Sequence, residues 1–146
     1  MGHYYGENTY QLDAKCRMRM PAKFRLEMGS ECLIAKGTGG CLFVFDSQAM
    51  DKLNAKIDAI PISDIDAGNA LRRFTASAVK VEFDEQGRFT LPAHLKQYAR
   101  IEKNVSIIGA GSKVEIWAQE IWNQQYANDQ IESYESAFSS LTKYGV

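Results

Sequence analysis

The sequence predicts an α+β protein in which two pseudo-symmetric halves pair into one β-barrel flanked by helices. Three observations point to it. The segment Leu12-Asp13-Ala14-Lys15-Cys16-Arg17-Met18-Arg19-Met20-Pro21-Ala22 returns as Phe83-Asp84-Glu85-Gln86-Gly87-Arg88-Phe89-Thr90-Leu91-Pro92-Ala93, with Asp, Arg, Pro and Ala repeated at a constant offset of 71. With one residue of slip, Gly37-Thr38-Gly39 aligns with Gly109-Ala110-Gly111, and Val44-Phe45 with Ile116-Trp117. An internal repeat of this kind fixes the architecture before any element is placed. Each copy alternates apolar and polar residues with period two, the signature of strands. Each copy also offers only about four short strands, too few to close a core alone.

The elements follow in chain order. Tyr10 and Leu12, then Met18 and Met20, alternate with polar residues around a turn at Asp13 to Cys16. Val81 and Phe83, then Phe89 and Leu91, do the same around Asp84 to Gly87, and a central Asp with a late Gly is a hairpin signal. Pro21 and Pro92 open short helices, because proline at the first helical position leaves no N–H unpaired. Gly29 stops the first, and the second runs to about Ala99. Strands are expected at Cys32 to Ala35 and Cys41 to Phe45, joined by Gly37-Thr38-Gly39-Gly40, and again at Val105 to Ile108 and Lys113 to Trp117, joined by Gly109-Ala110-Gly111. Between the copies, Ser47 to about Ala59 places Met50, Leu53 and Ile57 on one helical face, and Pro61 ends it. Ser63-Asp64-Ile65-Asp66 resembles a capping box before a helix through Leu71 and Phe74. The tail, about Gln119 to Lys143, carries Ile121, Tyr126, Ile131, Tyr134, Phe138 and Leu141 at near-helical spacing.

Composition narrows the class. Hydrophobic residues are 45% and charged residues 24%, as in soluble globular proteins. No apolar run approaches the roughly 18 residues of a membrane span, and the N-terminus has no basic start followed by an apolar stretch, so a cytoplasmic protein is expected. Cys16, Cys32 and Cys41 are odd in number and unevenly spaced, which reads as reduced thiols.

A formal net charge of −1 excludes a uniformly basic coat but not a segregated patch. Residues 10–25 hold Lys15, Arg17, Arg19, Lys23 and Arg25 against Asp13, a net +4. Residues 81–96 hold Arg88 and Lys96 against Glu82, Asp84 and Glu85, a net −1. The tail is acidic, with Glu120, Asp129, Glu132 and Glu135. One scaffold thus carries a basic hairpin on one side and a near-neutral one on the other. On a strand Lys15, Arg17 and Arg19 share one face, with Met18 and Met20 turned to the core. Two readings fit: contact with phosphates and base edges, since a two-stranded ribbon fits the major groove and Arg grips guanine bidentately, or a solvated charged face.

Asp-x-x-x-Arg after Leu12 or Phe83, with Pro-Ala four residues on, twice at about 70-residue spacing and closed by Cys41-Leu42-Phe43-Val44-Phe45 and Val114-Glu115-Ile116-Trp117, resembles the MraZ family of bacterial transcriptional regulators. That family belongs to the SpoVT-AbrB group of swapped-hairpin barrels, and the resemblance runs from about Gly6 to Trp122. It implies a first SpoVT-AbrB-like repeat at 7–54, a connecting helical segment at 55–80, a second repeat at 81–124 and a helical tail at 125–146. It further implies a nucleoid-associated protein that binds double-stranded DNA at tandem direct repeats in the promoter of its own division and cell-wall operon, as a homo-oligomer expected to be a ring. Lys15 and Arg17 match the family's DNA-contacting motif in the first repeat; in the second Arg88 matches, while Gln86 replaces a basic residue. With Arg19 and Lys23 these form the expected contact surface, and Asp13, Asp84, Pro21 and Pro92 the structural motif. One departure stands out: the family usually has Gly before the motif Arg, as Gly87 precedes Arg88, but the first copy has Cys16. If that turn needs positive φ, the side chain costs on the order of 1–2 kcal/mol.

Other signals are weaker. Asp13 and Asp84, related by the repeat, could form a carboxylate pair, but Ala14-Lys15 and Glu85-Gln86 follow them rather than the hydroxyl and glycine residues of an aspartic protease. Gly109-Ala110-Gly111 lacks the third Gly of a dinucleotide loop, and Gly37-Thr38-Gly39-Gly40 lacks the Lys-Ser/Thr of a phosphate loop; both read as hairpin turns. Two isolated histidines, His3 and His94, and the cysteine spacings offer no zinc pattern, so no catalytic residue, metal or cofactor is expected. Trp117 and Trp122 read as packing residues. The alternative function is an antitoxin-like or scaffold module that uses the same barrel to hold a protein partner.

Overall fold

The computed structural model describes residues 2–127 and 130–146. Asp129 of the expected acidic tail lies outside them. The described residues form an α+β structure of eight strands, all paired antiparallel, and six α-helices. The strands are β1 (Tyr4–Gln11), β2 (Arg17–Arg19), β3 (Glu31–Lys36), β4 (Leu42–Phe45), β5 (Val79–Glu82), β6 (Arg88–Thr90), β7 (Asn104–Gly111) and β8 (Val114–Ala118). The helices are α1 (Ala22–Met28), α2 (Ser47–Asp58), α3 (Ile65–Ser77), α4 (Ala93–Tyr98), α5 (Gln119–Trp122) and α6 (Ile131–Phe138).

The copies exchange strands. One sheet runs β1-β7-β8-β4-β3-β5, so β1 of the first repeat pairs with β7 of the second, and β5 of the second pairs with β3 of the first. The other sheet is a two-stranded ribbon of β2 and β6. The simple hairpins expected from sequence are therefore replaced. One backbone bond joins the flanks of each turn, Asp13 N–H to Arg17 O at 2.9 Å and Asp84 N–H to Arg88 O at 2.9 Å, after which the strands part to different sheets. In the ribbon Met18 lies opposite Phe89, its own repeat equivalent, so a pseudo-two-fold axis passes between them. Phe43 opposite Glu115 in the β4–β8 pair, related by the slipped offset, lies on the same axis. Among the described residues no strand ladder closes the six-stranded sheet onto the ribbon.

The ribbon's inner face supplies the core. Met18, Met20, Phe89 and Leu91 are buried, together with Phe24 of α1, Leu95 of α4 and the inward residues of β3, β4, β7 and β8. Each such side chain contributes about 1.5–3 kcal/mol of burial. Pro21 and Pro92 are buried or half-buried at the N-cap, one residue earlier than the first-turn position expected; φ near −51° and −58° with ψ near 137° keeps each extended while the helix starts at the following Ala. The cap of α3 is Asp64, not Ser63: its carboxylate accepts from Ala67 N–H at 3.0 Å. Gly37-Thr38-Gly39-Gly40 turns as expected, but Gly109-Ala110-Gly111 is the end of β7. There a Cβ on Gly109 would meet the Tyr5 backbone nitrogen at 2.3 Å, so glycine allows β1 its close approach. Buried Tyr4 ties β1 to α2 by donating to Asp46 Oδ2 at 2.6 Å, and Asp46 caps α2 through Ala49 N–H; burial and that carboxylate push the Tyr4 hydroxyl pKa up.

Candidate nucleic-acid interface

Each end of the ribbon is built by an aspartate. Asp13 Oδ1 accepts from Lys15 N–H and Arg17 N–H, both at 2.9 Å, and Oδ2 accepts from Arg17 Nε at 2.8 Å. Cys16 N–H returns to Asp13 O at 3.0 Å with Cys16 at φ 57°. The second end repeats this bond for bond. Asp84 Oδ1 accepts from Gln86 N–H at 2.9 Å and Arg88 N–H at 2.8 Å, and Oδ2 from Arg88 Nε at 2.9 Å. Gly87 closes that turn at φ 76°. The backbone N–H donors, Arg17 at one end and Arg88 at the other foremost, hold both carboxyls below the usual carboxylate range. Asp13 and Asp84 thus sit at opposite ends of an antiparallel ribbon, each engaged in its own turn, and do not form a carboxylate pair.

The outward face of the ribbon is cationic. Arg17 faces Thr90 and Arg19 faces Arg88 across the two strands, while Met18 and Phe89 point inward. The two hairpins are therefore not on opposite sides of the scaffold, as the charge contrast suggested. Because the pseudo-two-fold passes between Met18 and Phe89, Arg88 joins the arginines of the first copy. Arg17 and Arg88 are about 30% exposed, each held by its Asp through Nε. The other guanidinium N–H groups remain as donors, already oriented. Arg19 and Lys15 are exposed. Lys15 lies in the turn, not on β2 as the alternation implied, so it projects from the ribbon's end.

A groove of about 310 Å³ runs along this face, lined by Tyr10, Gln11, Asp13, Arg17, Arg19 and Arg88. Lys23 stands apart from it on α1: a Cβ on Gly6 of β1 would lie 3.0 Å from its ammonium. Tyr10, Gln11 and Thr90 were not singled out from sequence. Thr90 was reachable, since the 71 offset makes it the equivalent of Arg19; the other two needed the strand exchange.

The ends differ in what lies behind them. A Cβ on Gly87 would fall 2.3 Å from Arg25 Cζ, whose Nε donates to Met20 O at 3.1 Å. The corresponding space beside Cys16 is an open pocket shared with Thr90, Pro92 and Lys96, the last being the repeat equivalent of Arg25. That room accepts a side chain where Gly87 has none.

Burial pushes the Cys32 and Cys41 thiols up to about 12, which leaves them unreactive. His94 is exposed, with Nε2 2.9 Å from Ser77 O. Trp117 is buried, and its ring meets Trp122 at 5.6 Å and Tyr126 at 5.7 Å, a cluster that roots the tail on β8. Among the described residues no three His, Cys, Asp or Glu side chains are placed to hold a metal ion, and no helix is long and apolar enough to cross a membrane.

Comparison with known proteins agrees with this architecture. A family model whose description reads MraZ protein and antitoxin-like matches the chain twice, at residues 4–73 and 74–144. Proteins named transcriptional regulator MraZ align along nearly the whole chain. The one from Carboxydothermus hydrogenoformans is 40% identical over 141 residues, covering 97% of this chain and 98% of the relative. The one from a Thermoanaerobacter species is 41% identical over 136 residues, covering 93% and 94%. That of Acetivibrio thermocellus is 37% identical over 143 residues, covering 98% and 99%.

Proposed function

Because this chain belongs to the MraZ family, we propose that it is a DNA-binding transcriptional regulator that reads tandem direct repeats in the promoter of its own division and cell-wall operon. The observation carrying this reading is the outward face of the ribbon. Arg17, Arg19 and Arg88 are presented together, and Lys15 extends the row at one end. A two-stranded ribbon has the width of the major groove, and arginines with oriented guanidinium planes suit bidentate bonds to guanine O6 and N7. Asp13 and Asp84 are positioning residues: they fix Arg17 and Arg88 before DNA arrives, so less side-chain entropy is lost on binding. Lys23 contributes at most to phosphates at the edge of the contact.

The exchange of β1 and β5 between repeats supports reading sheet and ribbon as a swapped-hairpin barrel. One ribbon with about three phosphate contacts binds weakly, with a log–log salt slope of roughly −0.9 per contact. A ring of copies raises affinity by about 10²–10⁴-fold without a new type of contact. The protein acts in the cytoplasm on the nucleoid, with no catalytic step and no cofactor.

The antitoxin-like wording of the family description favours one alternative, a module that grips an acidic protein through the same ribbon. Selection of random duplexes on the purified protein, followed by sequencing, separates the two. A regulator enriches a repeated motif, and Arg17→Ala removes the enrichment. A protein-binding module enriches nothing.

A further inference from the structure

The pseudo-symmetry of the two copies fails beside β3, and a cavity opens there. β1 covers the whole of β7, out to Tyr4 opposite Gly111. Its equivalent β5 starts only at Val79, opposite Ile34, so the end of β3 at Ala35 and Lys36 runs on past it. By the 71 offset residues 75–77 stand for residues 4–6, yet they form the last turn of α3 instead of a strand. Between α3, the end of β3 and α4 lies a cavity of about 650 Å³, within the size range of small-molecule sites. Hydrogen bonds fix its walls. Lys36 N–H donates to Ser77 Oγ at 3.1 Å, Ser77 Oγ donates to Phe74 O at 2.7 Å, and Tyr98 Oη donates to Gly37 O at 2.7 Å. Ser77 O can only accept, so His94 Nε2, 2.9 Å away, carries the proton.

The lining is cationic and apolar at once. Lys36 and Arg73 line it, and no described Asp or Glu does. Among the described residues neither cation has a carboxylate partner, whereas Arg17 and Arg88 each have one. Lys36 Nζ is held over the Tyr98 ring, 5.1 Å from its centre. Ala70 and half-buried Phe74 supply apolar surface, and the Phe74 ring is set edge-on against Phe45 at 6.2 Å. This set belongs to one copy: Lys36, His94 and Tyr98 correspond to Ile108, Lys23 and Glu27 in the other. We propose that the cavity binds a small phosphate monoester with a planar apolar body, the phosphate between Lys36 and Arg73 and the body against Phe74. Two cations match a group carrying about −1.5 to −2 at neutral pH better than they match the single charge of a carboxylate. The guanidinium fork also suits phosphate oxygens. The site is separate from the ribbon and does not depend on the DNA-binding reading.

Titration of naphthyl phosphate into the DNA-free full chain, followed by two-dimensional amide NMR, tests it. Saturating shifts are expected at Gly37, Thr38, Ala70 and Ser77, with a Kd below about 1 mM. Inorganic phosphate, which lacks the body, and naphthol, which lacks the charge, are each expected to bind at least about tenfold more weakly. Lys36→Gln and Arg73→Gln, both at exposed positions, are each expected to weaken naphthyl phosphate at least about tenfold, the loss of one charge-assisted bond. Unchanged binding in both variants, shifts centred on Lys15 and Arg17 instead, or no saturation by about 10 mM overturns the site. Naphthoate that binds as tightly as naphthyl phosphate overturns the assignment to a phosphate monoester.

Discussion

The two ends of the ribbon are the same turn carrying different charge. Asp13 and Asp84 accept the same three bonds, at lengths that agree to within 0.1 Å. Between Asp and Arg, one end carries Ala14, Lys15 and Cys16, and the other Glu85, Gln86 and Gly87. Backbone geometry therefore comes from the Asp-x-x-x-Arg frame, and the residues between are free to set what each end attracts. Strand exchange adds a second lesson: it places both copies in one ribbon, so the sibling that looks neutral in sequence lends Arg88 to the cationic face.

Removing arginines tests that division of labour most severely. Arg17→Ala is expected to lower promoter affinity at least about 30-fold, since one direct base contact is worth about 1–3 kcal/mol and each engaged copy loses one. Arg88→Ala is expected to cost less, because Glu85 beside it weakens the local attraction for phosphate. Mobility shift at fixed moderate salt checks both. Equal losses break the asymmetry between the two ends while keeping the ribbon as the site.

The positions before the arginines separate frame from charge. Gly87→Ala is expected to destabilise the fold by about 2 kcal/mol: positive φ costs a side chain about 1–2 kcal/mol, and Arg25 must give up its bond to Met20 O. Cys16→Gly is expected to stabilise by about 0.5–1 kcal/mol, the relieved φ strain exceeding the added chain entropy. Urea unfolding of both variants checks the pair. Opposite signs at equivalent positions sharpen the contrast; a tolerated Gly87→Ala erases it.

Charge at the exposed tip comes next. Lys15→Gln is expected to reduce affinity only several-fold, but uniformly across DNA sequences, and to flatten the salt slope by roughly 0.9 per engaged copy. A loss confined to some sequences instead makes Lys15 a base-reading residue and moves specificity out to the tip.

The repeat and the centres of most strands were legible in sequence because each depends on neighbours a few residues apart, and Gly87 at the equivalent position pointed to positive φ at Cys16; the length of β1 and the end of β7 were not legible. The partner of each strand was not. Alternation shows which residues of Arg17–Arg19 face inward, but it is blind to whether β2 meets β1 or β6. That choice follows from burying both copies' apolar faces in one core, a long-range effect. The charge count had the same limit: it grouped Lys15, Arg17 and Arg19, yet could show neither that Lys15 lies in the turn nor that Arg88 stands opposite Arg19.

The smallest expected difference is in acid. In both aspartates the carboxylate pKa is depressed on folding, with the backbone N–H of the following arginine as the leading cause. A depressed carboxylate stabilises its turn fully above the unfolded value, near 3.9, and loses that contribution as pH falls through the folded value. Turn order should thus hold from neutral pH down to the unfolded carboxylate value and decay only below it. The amide resonances of Lys15 and Gln86, whose N–H groups donate to Asp13 and Asp84, report it end by end. Because the leading causes are identical, the two midpoints should fall close together even though Lys15 marks one end and Glu85 the other. Asp13→Asn should remove the transition at Lys15 and leave that at Gln86 untouched. If Asp13 instead titrates well below Asp84, the tip charges reach into the frame, and geometry and charge are no longer separable in this ribbon.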